Sequence, residues 1–124
     1  MLKRILAVVL VVGMLPLLSG CLALLAGAGG TVLWQGGKVI SEESSSMKRA
    51  VDATKAVFKS EKIALVDEVA RDTVTQLRGE DSGNTKVAVD IFEKAANEVR
   101  IEIRYGLGEE KAGRDLLLKI KKRL

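Results

Sequence analysis

Between Lys86 and Tyr105 the chain alternates apolar and non-apolar positions almost one for one, and this pattern constrains the fold more than any other. Val87, Val89 and Ile91 alternate with Lys86, Ala88 and Asp90. Val99, Ile101, Ile103 and Tyr105 alternate with Glu98, Arg100, Glu102 and Arg104. A period of two collects the apolar side chains on one side of a strand, so two strands with one dry and one wet face are expected. Directly opposed residues share a face, and both apolar sets are odd-numbered, so paired numbers must sum to an even value. A regular hairpin then needs an odd loop of about three or five residues, expected within residues 94–97.

The same logic extends upstream. Residues 73–80 read as another strand, joined through a three-residue loop at Asp81-Ser82-Gly83 with Gly83 left-handed. That register turns Thr73, Thr75 and Leu77 inward. Residues 63–70, rich in Ile, Leu and Val, are expected to form the first strand. Before it, Ser44, Ser45 and Ser46 are candidate N-caps of a helix reaching about Lys59. Met47, Ala50, Val51, Thr54, Val57 and Phe58 fall on one face of that helix. After the last strand, Gly106 and Gly108 break the pattern, and Glu109 and Glu110 suit the positive end of a helix dipole. Gly113, Leu116, Leu117, Ile120 and Leu124 make the apolar stripe of this second helix. The expected fold is α+β: a two-layer sandwich of helix, four-stranded antiparallel meander and helix over residues 44–124.

The front of the chain obeys other rules. No charged residue lies between Arg4 and Lys38, and every acid lies at or beyond Glu42. Lys3 and Arg4 precede an apolar run from Ile5 to Leu18, the layout of an export signal. The run is long enough to span a bilayer if continued to Val32, but Gly13, Pro16, Ser19-Gly20 and the glycines of residues 27–30 interrupt it. Residues 1–20 are therefore read as a signal peptide rather than an uncleaved anchor. Residues 21–43 are read as an apolar, Gly-rich tether with Trp34 near the headgroups, then a polar linker, "QGGKVISEESSS". Close helix contact through Ala26 to Gly30 is the alternative for the tether.

The end of the signal, "LPLLSGC", resembles the lipobox of bacterial lipoproteins, with Leu18 three residues before Cys21 and small residues between. The resemblance implies cleavage between Gly20 and Cys21 and a diacylglycerol on the Cys21 sulfur. Each buried methylene contributes about 0.8 kcal/mol, so two or three acyl chains hold a protein durably where one does not. Leu22 follows where Asp resembles an inner-membrane retention signal, which leans the expectation toward the outer membrane, facing the periplasm. The folded part resembles the domain of unknown function 3568 family of small bacterial lipoproteins. The resemblance rests on Ile103-Arg104-Tyr105-Gly106-Leu107-Gly108-Glu109-Glu110, with Glu109 replacing the usual Asp and Gly113 standing where Ser is common. It supports fold and location and implies no activity.

Composition removes several chemistries. The chain has no His and a single Cys, so an imidazole base, an intramolecular disulfide and a thiolate zinc site are all excluded. Aromatic residues make up 3%, too few for stacking platforms on single-stranded nucleic acid. Gly106-Leu107-Gly108 could present amides to an anion, but Glu109 and Glu110 occupy the same electrostatic position, so a tight turn is expected. The carboxylates alternate with bases on wet faces, as in Glu98-Arg100-Glu102-Arg104, the pattern of cross-strand ion pairs. No catalytic residue, metal ligand, cofactor or small-molecule substrate is assigned. Cys21 is the lipid-attachment site, and Gly20-Cys21 is the cleavage site. The expected partner is a membrane, through the lipid anchor; Arg100, Glu102, Arg104, Lys86 and Asp90 are expected to form a solvated face of the sheet unless an envelope protein partner covers it. The expected function is a non-enzymatic binding or structural role in the envelope, or an accessory subunit of an envelope transport or assembly complex.

Overall fold

A computed structural model of the chain describes residues 32–124. The signal peptide, the cleavage site at Gly20, the lipid-attachment site Cys21 and most of the tether lie outside the described residues. From Val32 onward the chain forms one compact unit. Its elements are β1 (Leu33–Gln35), β2 (Lys38–Glu43), α1 (Met47–Ser60), β3 (Ala64–Ala70), β4 (Val74–Glu80), β5 (Lys86–Ala95), β6 (Glu98–Tyr105) and α2 (Glu110–Lys121). All strand pairs are antiparallel, in the order β1-β2-β6-β5-β4-β3.

The α+β class stands, but the four-stranded meander is corrected to a six-stranded sheet. The stretch expected as tether and linker supplies the two additional strands. The reason lies in β2, whose inward positions are Val39 and Ser41, both fully buried. A serine on the dry face hides the alternation, and it is tolerated because its hydroxyl donates to Glu43 Oε1 at 2.7 Å. Pairing of Val39 with Ile103 and Ser41 with Ile101 makes β6 an interior strand rather than the edge of a meander. Val99, Ile101 and Ile103 accordingly lose all solvent exposure.

The odd-numbered faces of β4, β5 and β6 meet both helices in one core. Leu77, Val87, Val89, Ile91, Val99, Ile101 and Ile103 cluster with Val57 and Phe58 of α1 and Leu116, Leu117 and Ile120 of α2. Ser46 caps α1 by accepting the Arg49 N–H at 3.2 Å. The inward stripe of α1 gains Ala53, while Met47 and Val51 pack at its margin. The α2 stripe is as expected, with Leu124 partly buried beyond the helix end.

Both hairpins keep the expected parity by different turns. Val87 pairs with Tyr105 and Glu93 with Val99, but Ala95 then pairs with Glu98. A bulge at Lys94 absorbs the odd residue, so a two-residue turn replaces the expected odd loop. Between β4 and β5, the Asp81 N–H bonds the Thr85 carbonyl and Asn84 N–H bonds the Asp81 carbonyl. The left-handed residue is Asn84, at φ 64°, not Gly83. Asparagine tolerates that conformation better than most residues, and it falls third in the loop where this turn requires it.

Asp81 also ties this hairpin to the end of β6. Its carboxylate accepts the Tyr105 hydroxyl at 2.6 Å and the amides of Gly83 and Thr85 at 2.9 Å each. Burial first, then the hydrogen bond to Asp81, pushes the Tyr105 phenol up to about 12. The Tyr105 hydroxyl, followed by the Thr85 amide, holds Asp81 below its ordinary value. A raised folded-state pKa gives stability that is complete below the unfolded value near 10 and lost as pH rises through about 12. Tyr105 is the single tyrosine, so phenolate absorbance follows it alone. Its titration should begin only well above pH 10 in the folded protein, and ionisation at the free-tyrosine value would contradict the Asp81 contact.

Candidate ligand-binding face

With both helices on one side, the other side of the sheet is open. The outward residues come from the even-numbered register: Lys38 and Ile40 on β2, Arg100, Glu102 and Arg104 on β6, Ala88, Asp90 and Phe92 on β5, and Gln76 and Arg78 on β4. The residues expected on the wet face are therefore brought together, with Lys86 at its margin. Lys38 and Arg78 join them. Arg78 was legible from the parity that turns Leu77 inward, whereas Lys38 was hidden with the rest of β2.

The charges are organised around two sheltered acids. Glu102, with 12% of its side chain exposed, lies 3.1 Å from Arg100 and 3.6 Å from Lys38. Asp90, at 15%, lies 2.6 Å from Arg78. Such partial shelter makes these pairs worth more than free surface bridges, because less water competes for the charges. Arg100 stacks over Phe92, with its guanidinium carbon 4.7 Å from the ring centroid.

Arg104 differs from its neighbours. It faces Ala88 across the β5–β6 ladder, and Ala88 faces Arg78 across β4–β5. Its guanidinium donates to the Gly36 carbonyl at 2.9 Å and makes no carboxylate pair among the described residues. The small Ala88 side chain between two arginines leaves an open notch of about 280 Å³, lined by Lys38, Arg78, Asp90, Glu102 and Arg104. A shallower hollow of about 460 Å³ continues past Arg78 and Arg104 toward Val66 and Gly106. The arrangement can accept a carboxylate or an acidic side chain at Arg104, with apolar contact beside it. It positions no nucleophile.

The other candidates resolve locally. At Gly106-Leu107-Gly108 both glycine amides are already used: Gly106 donates to the Lys86 carbonyl, and Gly108, like Glu109 after it, donates to the Tyr105 carbonyl. This is the expected tight turn. On the basic end of α2, Lys119 pairs with Glu61 at 2.8 Å and Lys121 with Glu43 at 3.2 Å. Among the described residues there is no group of three or more Cys, Asp or Glu residues able to hold a metal. None of the described helices is long and apolar enough to cross a membrane.

No curated protein matches this chain. The family described as Protein of unknown function (DUF3568) matches residues 4–123, which spans the apolar front, the six strands and both helices. The chain belongs to the DUF3568 family.

Proposed function

We propose that the protein is a lipid-anchored lipoprotein of the bacterial envelope that binds a protein partner through the open face of its sheet. The observation that carries the anchoring is the spacing of Lys3-Arg4, the apolar run and Leu18-Ser19-Gly20-Cys21. Cys21 takes the diacylglycerol on its sulfur and the chain is cleaved after Gly20, and Leu22, standing where an Asp would resemble an inner-membrane retention signal, favours the outer membrane, facing the periplasm. The role is binding rather than catalysis, and it needs no cofactor. Replacing Cys21 with Ala should abolish incorporation of labelled fatty acid into the protein. Undiminished labelling would sink the anchor.

A second reading, an accessory subunit of an envelope transport or assembly complex, is favoured by Arg104. An arginine with free donors beside an alanine notch suits one acidic anchor residue of a lasting partner. Crosslinking in intact cells and identification of the captured protein tests both readings. Reversing the charges of Arg100, Glu102 and Arg104 together should remove the captured protein while labelling at Cys21 persists. Capture unaffected by the reversal would place the partner elsewhere.

A further inference from the structure

The six large hydrophobic residues exposed on this domain lie at its two opposite edges. Leu65 and Val66 belong to β3 at one edge of the sheet, at 43% and 66% exposure. Leu33 and Trp34 form the opposite edge strand, at 50% and 37%. Leu107 and Leu118 join that second edge through the geometry of α2. Gly108 sits against the β1–β2 turn, where a methyl group on it would lie 3.1 Å from Gly37 Cα, and this brings fully exposed Leu107 beside the turn. Gly113 packs on Val39, whose other neighbour across the ladder is Trp34.

The flanks of α2 can be told apart. Lys119 pairs with Glu61 at the end of α1, so its flank faces α1. Lys111, Arg114, Leu118 and Lys121 recur at helical spacing on the other flank, and the Lys121–Glu43 pair sets that flank along β2, next to β1. Arg114 is shared with Glu110, while Lys111 makes no ion pair among the described residues. From Glu110 to Arg123 the chain carries six bases against two acids. The β3 edge is the reverse: residues 61–72 carry four acids against two bases.

We infer that the β1/α2 edge docks flat on the bilayer surface, with Leu33, Trp34, Leu107 and Leu118 at headgroup depth and the flanking bases toward anionic lipid phosphates. Two observations select a lipid surface as the occupant. One is chain connectivity: β1 follows directly on a stretch with no charged residue from Ile5 onward, so the segment leading from Cys21 is joined to the domain at this edge. The other is charge, since an apolar strip with basic flanks complements anionic lipid and the acidic β3 edge does not. An indole at the margin of such a strip suits the membrane–water boundary. Docked this way, the domain stands with its sheet and its notch at Arg104 facing sideways, accessible to a partner.

The inference rests on the lipid anchor, and one experiment separates the two. Cys21 is the single cysteine and is blocked once acylated, so a Cys introduced elsewhere is the only free thiol. The lipidated full chain carrying Leu118→Cys, or Val66→Cys as the opposite edge, is labelled with an environment-sensitive fluorophore. It is then placed in vesicles of phosphatidylethanolamine and phosphatidylglycerol with brominated acyl chains. The label at 118 and the single Trp34 should both be quenched, more by bromines high on the chain than by deep ones, while the label at 66 is not. Reversing Lys111, Arg114 and Lys121 to Glu should restore the emission at 118 with the protein still bound to vesicles. Membrane-bound protein whose label at 118 is unquenched, or quenched no more than that at 66, overturns the docking and leaves the anchor. Absence of acyl label on Cys21 overturns both.

Discussion

Phe58→Ala should cost about 3–5 kcal/mol of unfolding free energy, the usual loss for truncating a buried aromatic side chain. Phe58 is 1% exposed in the last turn of α1 and belongs to the same core as Val57, Leu77 and Ile63. Its removal leaves a cavity under β4 that flanking strands cannot close without breaking their ladder. Small domains have a total stability of about 5–15 kcal/mol, so this one change should consume a large share of it. Urea unfolding followed by circular dichroism measures the loss. A cost below about 1 kcal/mol would mean that the ring is not part of a close-packed core.

Gly79→Ala should destabilise by about 1–3 kcal/mol although it adds only a methyl group, because overpacking forces neighbours off their preferred rotamers. The added carbon would stand 2.6 Å from Ile63 Cγ2, 2.8 Å from Phe58 Cε2 and 3.1 Å from the Ala64 carbonyl oxygen. Gly79 faces the helices in β4 and pairs with Leu65 and Val87. A glycine inside a strand usually weakens it, and here its role is to let α1 and the start of β3 close down on the sheet. The two changes should not be additive. With Phe58 already Ala, one of the two clashing side chains is absent, and the cost of Gly79→Ala should fall by about 1 kcal/mol. Strict additivity would show that the two residues do not touch.

The elements most legible in the sequence were those whose burial pattern is internally complete. β5 and β6 announce themselves because Val87, Val89, Ile91, Val99, Ile101 and Ile103 turn inward between outward residues that, Phe92 apart, are polar or small. The stripe Gly113, Leu116, Leu117, Ile120 announces α2 in the same way. β2 was not legible, because its dry face holds Val39 and Ser41 while Ile40 faces outward. Nothing local distinguishes such a segment from a linker; α2 above it and β6 beside it make it a strand. β1 has three residues, fewer than any alternation needs to show. The wet face was legible as a set of residues but not as a site. Parity places Arg100, Glu102 and Arg104 on one side, yet it cannot say that Lys38 arrives from β2 or that Arg104 pairs with no acid among the described residues.

By itself the sequence determined the division into an uncharged front and a charged folded part. It also determined the α+β class, the inward faces of both helices and of β4, β5 and β6, and the exclusion of imidazole and thiolate zinc chemistry. These follow from composition and from periodicities that act within a few residues of each other. Only the tertiary structure decided the number of strands, the interior place of β6, the notch beside Arg104 and the grouping of Leu33, Trp34, Leu107 and Leu118 along one edge. Those depend on which distant segment lies beside which: Val39 against Ile103, Gly37 against Gly108, Glu43 against Lys121. Pairings of that range are set by the joint burial of many side chains, a quantity that no single stretch of the chain contains.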